Sequence, residues 1–452
     1  HRDLHSFPTR RSSDLTRVAP VRETKSVVVD HYGQEGDLFA YPYPIDGRSL
    51  VVTYSPVGWS RRFKKREEER LTGFGLYWMD VDGRREILCS RLGTACGRAV
   101  ALKARARPPK RPQAVCYGRT DGTFYVQDIY AGEAMSGVPR GTVKTLRVIG
   151  LDYRLAGIGS NGNGGPGGGA LISTPPSVGN GAWDPKILVG DARVYDDGSA
   201  FFSASARGPL YFMLLDEKGR MVQTMRSWTM LQPGENASCV GCHESKNSVP
   251  LAQARPTQAL AAGAQKLAEI GGPSRGFSFA REVQPILDRR CVACHDGKEA
   301  KRPDLTGAPV ADAAAKRVWS RAYLALTHAR PDHPEEKTRW RGDPGNRVVC
   351  WVSAASAPTV QKPCSAGSRV SELFKKLDAG HCKTVTPEEV AVLAAWVDLG
   401  VPFCGDYEEA GAWSEAERQK YASFREKRQK YAAADLASLR ALAEAQEKSH
   451  GE

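Results

Sequence analysis

Two strings in this sequence combine residue types that do chemistry together: Cys239-Val-Gly-Cys242-His243 and Cys291-Val-Ala-Cys294-His295. Two thiols with a two-residue gap span the two vinyl groups of a porphyrin, and the adjacent histidine can then be held under the iron as proximal ligand. The same CxxC spacing serves thioredoxin-like redox pairs, zinc sites and plain disulfides. A zinc site drawing on both pairs would leave both trailing histidines without a reason. The spacing therefore predicts two covalently bound heme c groups, with His243 and His295 as iron ligands.

The opposite face of each iron sets potential and reactivity. All six methionines (79, 135, 213, 221, 225 and 230) precede the first motif, so a heme domain beginning near residue 277 has no methionine of its own. Its histidines are His328, His333, His381 and His450. His381 is best placed, because it follows Gly380 and precedes the helix-opening Thr386-Pro-Glu-Glu389, so a rigid corner would aim it. His328 and His333 lie in a Pro-rich loop and read as solvated, and His450 sits in a tail. At the first heme, Met225 or Met230 could close the distal face, although core packing is the simpler role for both.

The elements that position these motifs change character along the chain. Residues 27–130 alternate apolar and polar in short runs, as in Ser49–Tyr54 and Gly75–Asp80, with Asp-Gly turns at 46–47 and 82–83. A charged insertion, Arg61–Arg70, separates two of these strands. The Gly-rich run 157–169 reads as a linker or loop. From Lys186 to Trp228 the pattern is an antiparallel meander, with strands near 187–195, 199–206, 210–215 and 220–228, stopped by Pro233-Gly234. After a connector at 248–276 the period becomes helical. Phe279, Val283, Ile286 and Leu287 form one stripe, and Val318, Trp319 and Tyr323 another. A short helix covers 371–379, a capped one runs from Thr386 to about Leu399, and Ser414-Glu-Ala-Glu417 opens a long charged helix with a Leu436, Leu439, Leu442 seam.

Composition limits the partners. The 452 residues carry a net charge of +13, but the basic residues are scattered, so a solvated basic surface or a face for an acidic redox partner is expected rather than nucleic acid. No stretch approaches the roughly 18 to 20 apolar residues of a membrane span. Covalent heme points to a periplasmic or otherwise extracytoplasmic protein, its signal peptide expected upstream. Residues 1–15 are patternless and read as a non-native, adapter-like leader. Of eleven cysteines, the seven outside the motifs (Cys89, Cys96, Cys116, Cys350, Cys364, Cys382 and Cys404) are disulfide candidates in that compartment. Local pairing would join 350 with 364 and 382 with 404, while buried thiols are an equal alternative for the first three.

Several stretches resemble the hydrazine synthase alpha subunit family: FGLYWMDVDGRREIL, RARPPKRP, GTFYVQDIYAG, the run from DGSAFFSASARGPLYFMLLDEKGR through ENASCVGCHE, FSFAREVQPILDRRCVACHDG, and AGHCKTVTPEEVAVLAAWVDLGVPFCGDY. The resemblance implies an α+β multidomain chain: the C-terminal remnant of a β-propeller (16–135), an antiparallel β middle domain ending at the first heme (136–247), a linker (248–276), a mainly α-helical cytochrome c-type domain with the second heme (277–405), and a charged C-terminal helix (406–452). It implies bis-histidine ligation at His295 and His381 and a reactive heme at Cys239–His243. The family's enzyme has a tyrosine four residues after that proximal histidine. Here Asn247 takes the position, so hydrazine formation does not carry over with the motif.

The expected function is electron transfer by a diheme c-type cytochrome, alone with a redox partner protein or among other subunits of a complex. The rivals are an oxidoreductase acting on a small nitrogen or oxygen species at the first heme, and a β-propeller interaction module in which the hemes are secondary.

Overall fold

The computed structural model describes residues 38–56, 74–152, 176–178, 184–243, 256–312, 317–329, 346–352, 360–409 and 413–450, without 92, 93, 105, 108 and 110–114. The expectations for the 61–70 insertion, the Gly-rich run, Asn247 and His333 lie outside these residues. The chain divides into two compact units, 1–112 and 113–452.

In the first unit, β1 (Leu38–Pro44), β2 (Ser49–Ser55), β3 (Gly75–Asp80) and β4 (Arg85–Cys89) form one antiparallel sheet in chain order. The Asp-Gly turns arise as their chemistry dictates. The Asp46 carboxylate accepts the N–H groups of Arg48 and Ser49, and Gly83 takes the left-handed conformation at φ +87°. Val52, Tyr54 and Met79 form a small core.

The second unit is built on a five-stranded sheet. Its strands are β6 (Val143–Leu151), β7 (Lys186–Arg193), β9 (Leu210–Asp216), β10 (Met221–Thr224) and β12 (Arg275–Gly276), in the order β10-β9-β6-β7-β12. A three-stranded sheet orders β11 (Asn236–Cys239), β5 (Asp121–Val126) and β8 (Ala200–Ser205) as β11-β5-β8. The simple meander expected over 187–228 is therefore not formed. β6 lies between β7 and β9, β8 leaves for the other sheet, and the last strand stops at Thr224.

Every residue of β9 is buried, and its alternation shows why. Leu210, Phe212 and Leu214 point into a cluster with Phe124 and Phe202, whereas Tyr211, Met213 and Leu215 point into a second cluster with Phe279, Trp319 and Trp396. A strand covered on both faces reads as a continuous apolar run, and this one does. The sheet thus has β5, β8 and β11 on one face and the helical elements on the other.

On that second face lie a π-helical turn at Phe279–Val283 running into α2 (Gln284–Arg290), α3 (Arg321–Thr327), α4 (Glu372–Asp378) and α5 (Pro387–Asp398), whereas α1 (Gln258–Ala262) lies beside β8 and Tyr421 of α6 (Glu415–His450) packs in a separate cluster with Tyr407 and Trp413. Two short strands, β13 (Pro309–Asp312) and β14 (Arg317–Ser320), precede α3. The expected helical stripe through Val318, Trp319 and Tyr323 is split between them. Trp319 faces inward from β14 at 1% exposure, Val318 faces outward at 37%, and only Tyr323 is helical.

The expected boundaries also shift. Asp121–Val126, assigned by sequence to the propeller remnant, pairs with β8 and β11, because Phe124 and Val126 complete their core. The 248–276 connector carries α1 and β12, and Gln265 and Ala268 bond to the backbones of Phe201 and Asp191. The β-rich middle and helical parts share one core and form a single compact unit.

Candidate functional site

The second motif grows from the end of a short helix. Ile286 and Leu287 anchor α2 in the core, and the backbone then turns tightly: Cys291 N–H donates to Leu287 O, Cys294 N–H to Cys291 O, and His295 N–H to Cys291 O and Val292 O. Both thiols and the imidazole emerge from one turn. Nδ1 of His295 lies 3.2 Å from the Pro303 carbonyl. With the proton on Nδ1, that bond fixes the ring and leaves the Nε2 lone pair for a metal. Burial pushes the Cys291 thiol up to about 11, with smaller contributions from Cys382, Glu389 and Cys294.

His381 is presented by a corner that the sequence spells out. The helix α4 ends at Ala379, Gly380 takes φ +81°, and the N–H of His381 reaches back to Lys376 O, closing the turn in the manner of a Schellman cap. Four residues past Cys382, Thr386 caps α5 through a complete capping box with Glu389. Glu389 also receives Arg290 at 3.0 Å and Arg289 at 3.2 Å. Burial opposes ionisation of Glu389, but the Thr386 N–H and both guanidinium groups outweigh it and hold the carboxyl below its usual range. One carboxylate therefore ties the C-terminus of the helix bearing Cys291 to the N-terminus of the helix behind His381.

These two corners bring His295 and His381 together, with ring centroids 6.2 Å apart and planes inclined by 58°. Two imidazoles sharing one metal, at a metal–nitrogen distance of roughly 2.0–2.1 Å each, place their centroids about 6.4 Å apart. The spacing suits one iron between them. A bis-histidine heme needs only two protein ligands, so it does not require a cluster of three or more His, Cys, Asp or Glu, and among the described residues there is none. His328 instead caps α3 in the left-handed conformation, its N–H on Leu324 O, and the side chain of His450 lies outside the described residues.

The first motif sits differently. Its Cys239 ends β11, a strand that sequence reading missed, and β11 runs parallel to β5. Gln127 and Asp128 donate their N–H groups to the carbonyls of Cys239 and Val240, which extends the pairing into the motif. Gly241 is required here, because a Cβ at this position would overlap the Ala131 carbonyl. Cys239 and Cys242 pack half-buried against the Phe124 cluster. His243 is exposed and left-handed at φ +56°. Met225 packs half-buried at the edge of the same cluster, whereas Met230 is 41% exposed. Val138 and Cys364, which also touch this cluster, line a cavity of about 630 Å³ with Glu133, Lys362 and Arg369.

Neither locally expected disulfide is formed. Cys382 Sγ contacts Arg290 O and Thr384, whereas buried Cys404 accepts from Arg317 at 3.1 Å. Sequence reading also missed Arg220, which immediately precedes β10 and grips Asp378 of α4 through both guanidinium nitrogens at 2.9 and 2.6 Å. It missed Asp398 as well, a 7% exposed carboxylate joining α5 to Ser368 and to the backbone of Met221. Nothing local in the sequence marks either contact, since each links residues 158 or 177 positions apart.

Residues 141–244, which include the whole first motif, match the family model of the hydrazine synthase alpha subunit middle domain. Hydrazine synthase subunit alpha from Kuenenia stuttgartiensis is 23% identical over 464 aligned positions, covering 81% of this chain and 54% of that one. The solved Kuenenia stuttgartiensis hydrazine synthase shares the fold at a TM-score of 0.52 and 18% identity, over 82% of this chain and 56% of its own. The chain spans about half the length of these relatives. The middle-domain match, the wider alignment and the shared fold all point to one group, and the chain is similar to the hydrazine synthase alpha subunit family.

Proposed function

We propose that this protein is an extracytoplasmic diheme c-type cytochrome whose second site passes electrons to or from a redox partner, alone or as one subunit of a complex. The observation that carries the reading is the 6.2 Å separation of His295 and His381 beside a CxxCH turn. In this reading Cys291 and Cys294 attach the group, Pro303 orients His295, and the Gly380 corner aims His381. A heme bound there supplies one-electron exchange between ferric and ferrous iron. Held by both imidazoles, such a group would offer electron exchange rather than a place for substrate, which suits relay. The subunit designation of the Kuenenia relative supports a complex with other chains. The four-stranded antiparallel sheet of the first unit has the make-up of one propeller blade, as expected for a remnant of that domain.

A second reading, redox chemistry on a small nitrogen or oxygen species at the first heme, is favoured by the exposed His243. Hydrazine formation is not part of the proposal, since Asn247 stands where the family's enzyme has a tyrosine.

Electron paramagnetic resonance of the oxidised protein, with carbon monoxide added to the reduced form, tests both. One low-spin signal beside one high-spin signal, with about half of the Soret absorbance shifted by carbon monoxide, supports a closed second site and an open first. Two low-spin signals with no carbon monoxide binding would leave relay alone. Intact mass without two added hemes, from a host able to attach them, would overturn the proposal.

A further inference from the structure

In the first unit two cysteines that belong to neither motif approach one another. Cys89 ends β4 in register with Leu76 of β3. Cys96 returns along the same strand end, its N–H donating to Phe74 O at 2.8 Å. Between them Thr94 N–H donates to Arg91 O, and the two Sγ atoms lie 3.8 Å apart. We propose that Cys89 and Cys96 are a disulfide site that staples the edge strand β4 to the segment following it.

The approach is a property of the backbone rather than of two mobile side chains. Leu76 at the start of β3 and Phe74 just before that strand fix the backbones of Cys89 and Cys96, which sets the two thiols side by side. Sulfurs in van der Waals contact need close by only about 1.8 Å to reach bonding distance, which side-chain rotation can supply. Burial and the neighbouring thiol both disfavour the Cys96 thiolate, while Cys89 is exposed, so Cys89 is the sulfur that meets an oxidant first. The reaction is a thiol–disulfide exchange. The Cys89 thiolate attacks a low-molecular-weight disulfide and displaces one thiol. Cys96, losing its proton, then attacks the mixed disulfide at Cys89 and displaces the second thiol. Two protons and two electrons pass to the oxidant, and one S–S bond forms for the one broken.

The product would pin a vulnerable place. β4 is a sheet edge whose five residues are all exposed, including Ile87 and Leu88, and such an edge invites pairing with other chains.

The test uses the full chain, equilibrated in oxidised and reduced glutathione, then alkylated and digested with trypsin without reductant. Cleavage after Arg85, Arg91 and Arg98 separates Glu86–Arg91 from Leu92–Arg98, so only a Cys89–Cys96 bond keeps these peptides together. The expected result is a single linked species that dithiothreitol splits in two. In Cys89→Ser, Cys96 should appear as an alkylated thiol or a glutathione adduct. Alkylation of both cysteines in the wild-type chain under oxidising buffer, or linkage of either to Cys116, would overturn the proposal. Because the buffer sets the redox potential, the outcome does not depend on the compartment from which the protein is isolated.

Discussion

Asp398 makes the stability of the second unit depend on pH in a direction opposite to most of its acids. Burial raises this carboxyl from 3.8 to about 7, against the opposing pull of the Ser368 and Met221 N–H groups, the Ser368 hydroxyl and Arg147. A folded pKa above the unfolded one means that the native state binds the proton more tightly. The corresponding stability is fully present below about pH 4 and is lost as pH rises to about 7. At about 1.4 kcal/mol per pH unit, the shift corresponds to roughly 4 kcal/mol in all, and roughly 2 kcal/mol of it is lost between pH 5 and 7. Asp398→Asn keeps the size and an acceptor oxygen but cannot titrate. Urea unfolding of both proteins, followed by far-UV circular dichroism at pH 5, 6, 7 and 8, isolates the effect as a difference, since other carboxylates cancel. The variant should gain on the wild type by roughly 2 kcal/mol between pH 5 and 7 and then level off. A difference constant across that range would refute the assignment of a raised carboxyl at this contact.

Three further outcomes are expected. His381→Ala should convert the second heme to high spin and open it to carbon monoxide, whereas His328→Ala should leave the spectrum unchanged. Gly241→Ala, by driving a methyl group into the Ala131 carbonyl, should cost about 1–3 kcal/mol and lower heme attachment at Cys239 and Cys242, read by peptide mass. Arg220→Met should destabilise the fold by about 1–3 kcal/mol, because it strips Asp378 of a two-nitrogen partner, with the second heme still low-spin by electron paramagnetic resonance.

Local chemistry was legible in the sequence wherever a few adjacent residues decide the outcome. The Thr386–Glu389 capping box, the Gly380 stop and the Phe279-to-Leu287 stripe all stand where their residue types place them. The Ser414–Glu417 box at the start of α6 does too. Pairing across long separations was not legible. β6 inserts between β7 and β9 because its Leu146 and Val148 serve one core and its Ile149 the other, which alternation within a single strand does not reveal. The β11 segment, Asn-Ala-Ser-Cys, has no β-branched or aromatic residue and became a strand only by lying beside β5. At the second site the sequence could nominate His381 from its corner. The Glu389 and Pro303 contacts that steady the two histidines appear only when residues eight and a hundred positions apart are folded together.

The doubly buried sheet has a consequence for the order in which this molecule can be made. Emerging N-terminus first, the chain releases Cys239–His243 while β12, α2, α3 and α5 are still unmade, and the Tyr211, Met213 and Leu215 side of β9 gains its helical cover only as Phe279, then Trp319, Trp396 and Phe403 appear. The first motif is therefore presented on an unfinished scaffold, open to a modifying enzyme and exposed to aggregation at the same time. The second motif arrives barely a hundred residues before closure. A truncation placed between the two motifs would keep that bare sheet permanently, so the halves of the second unit are not separable pieces.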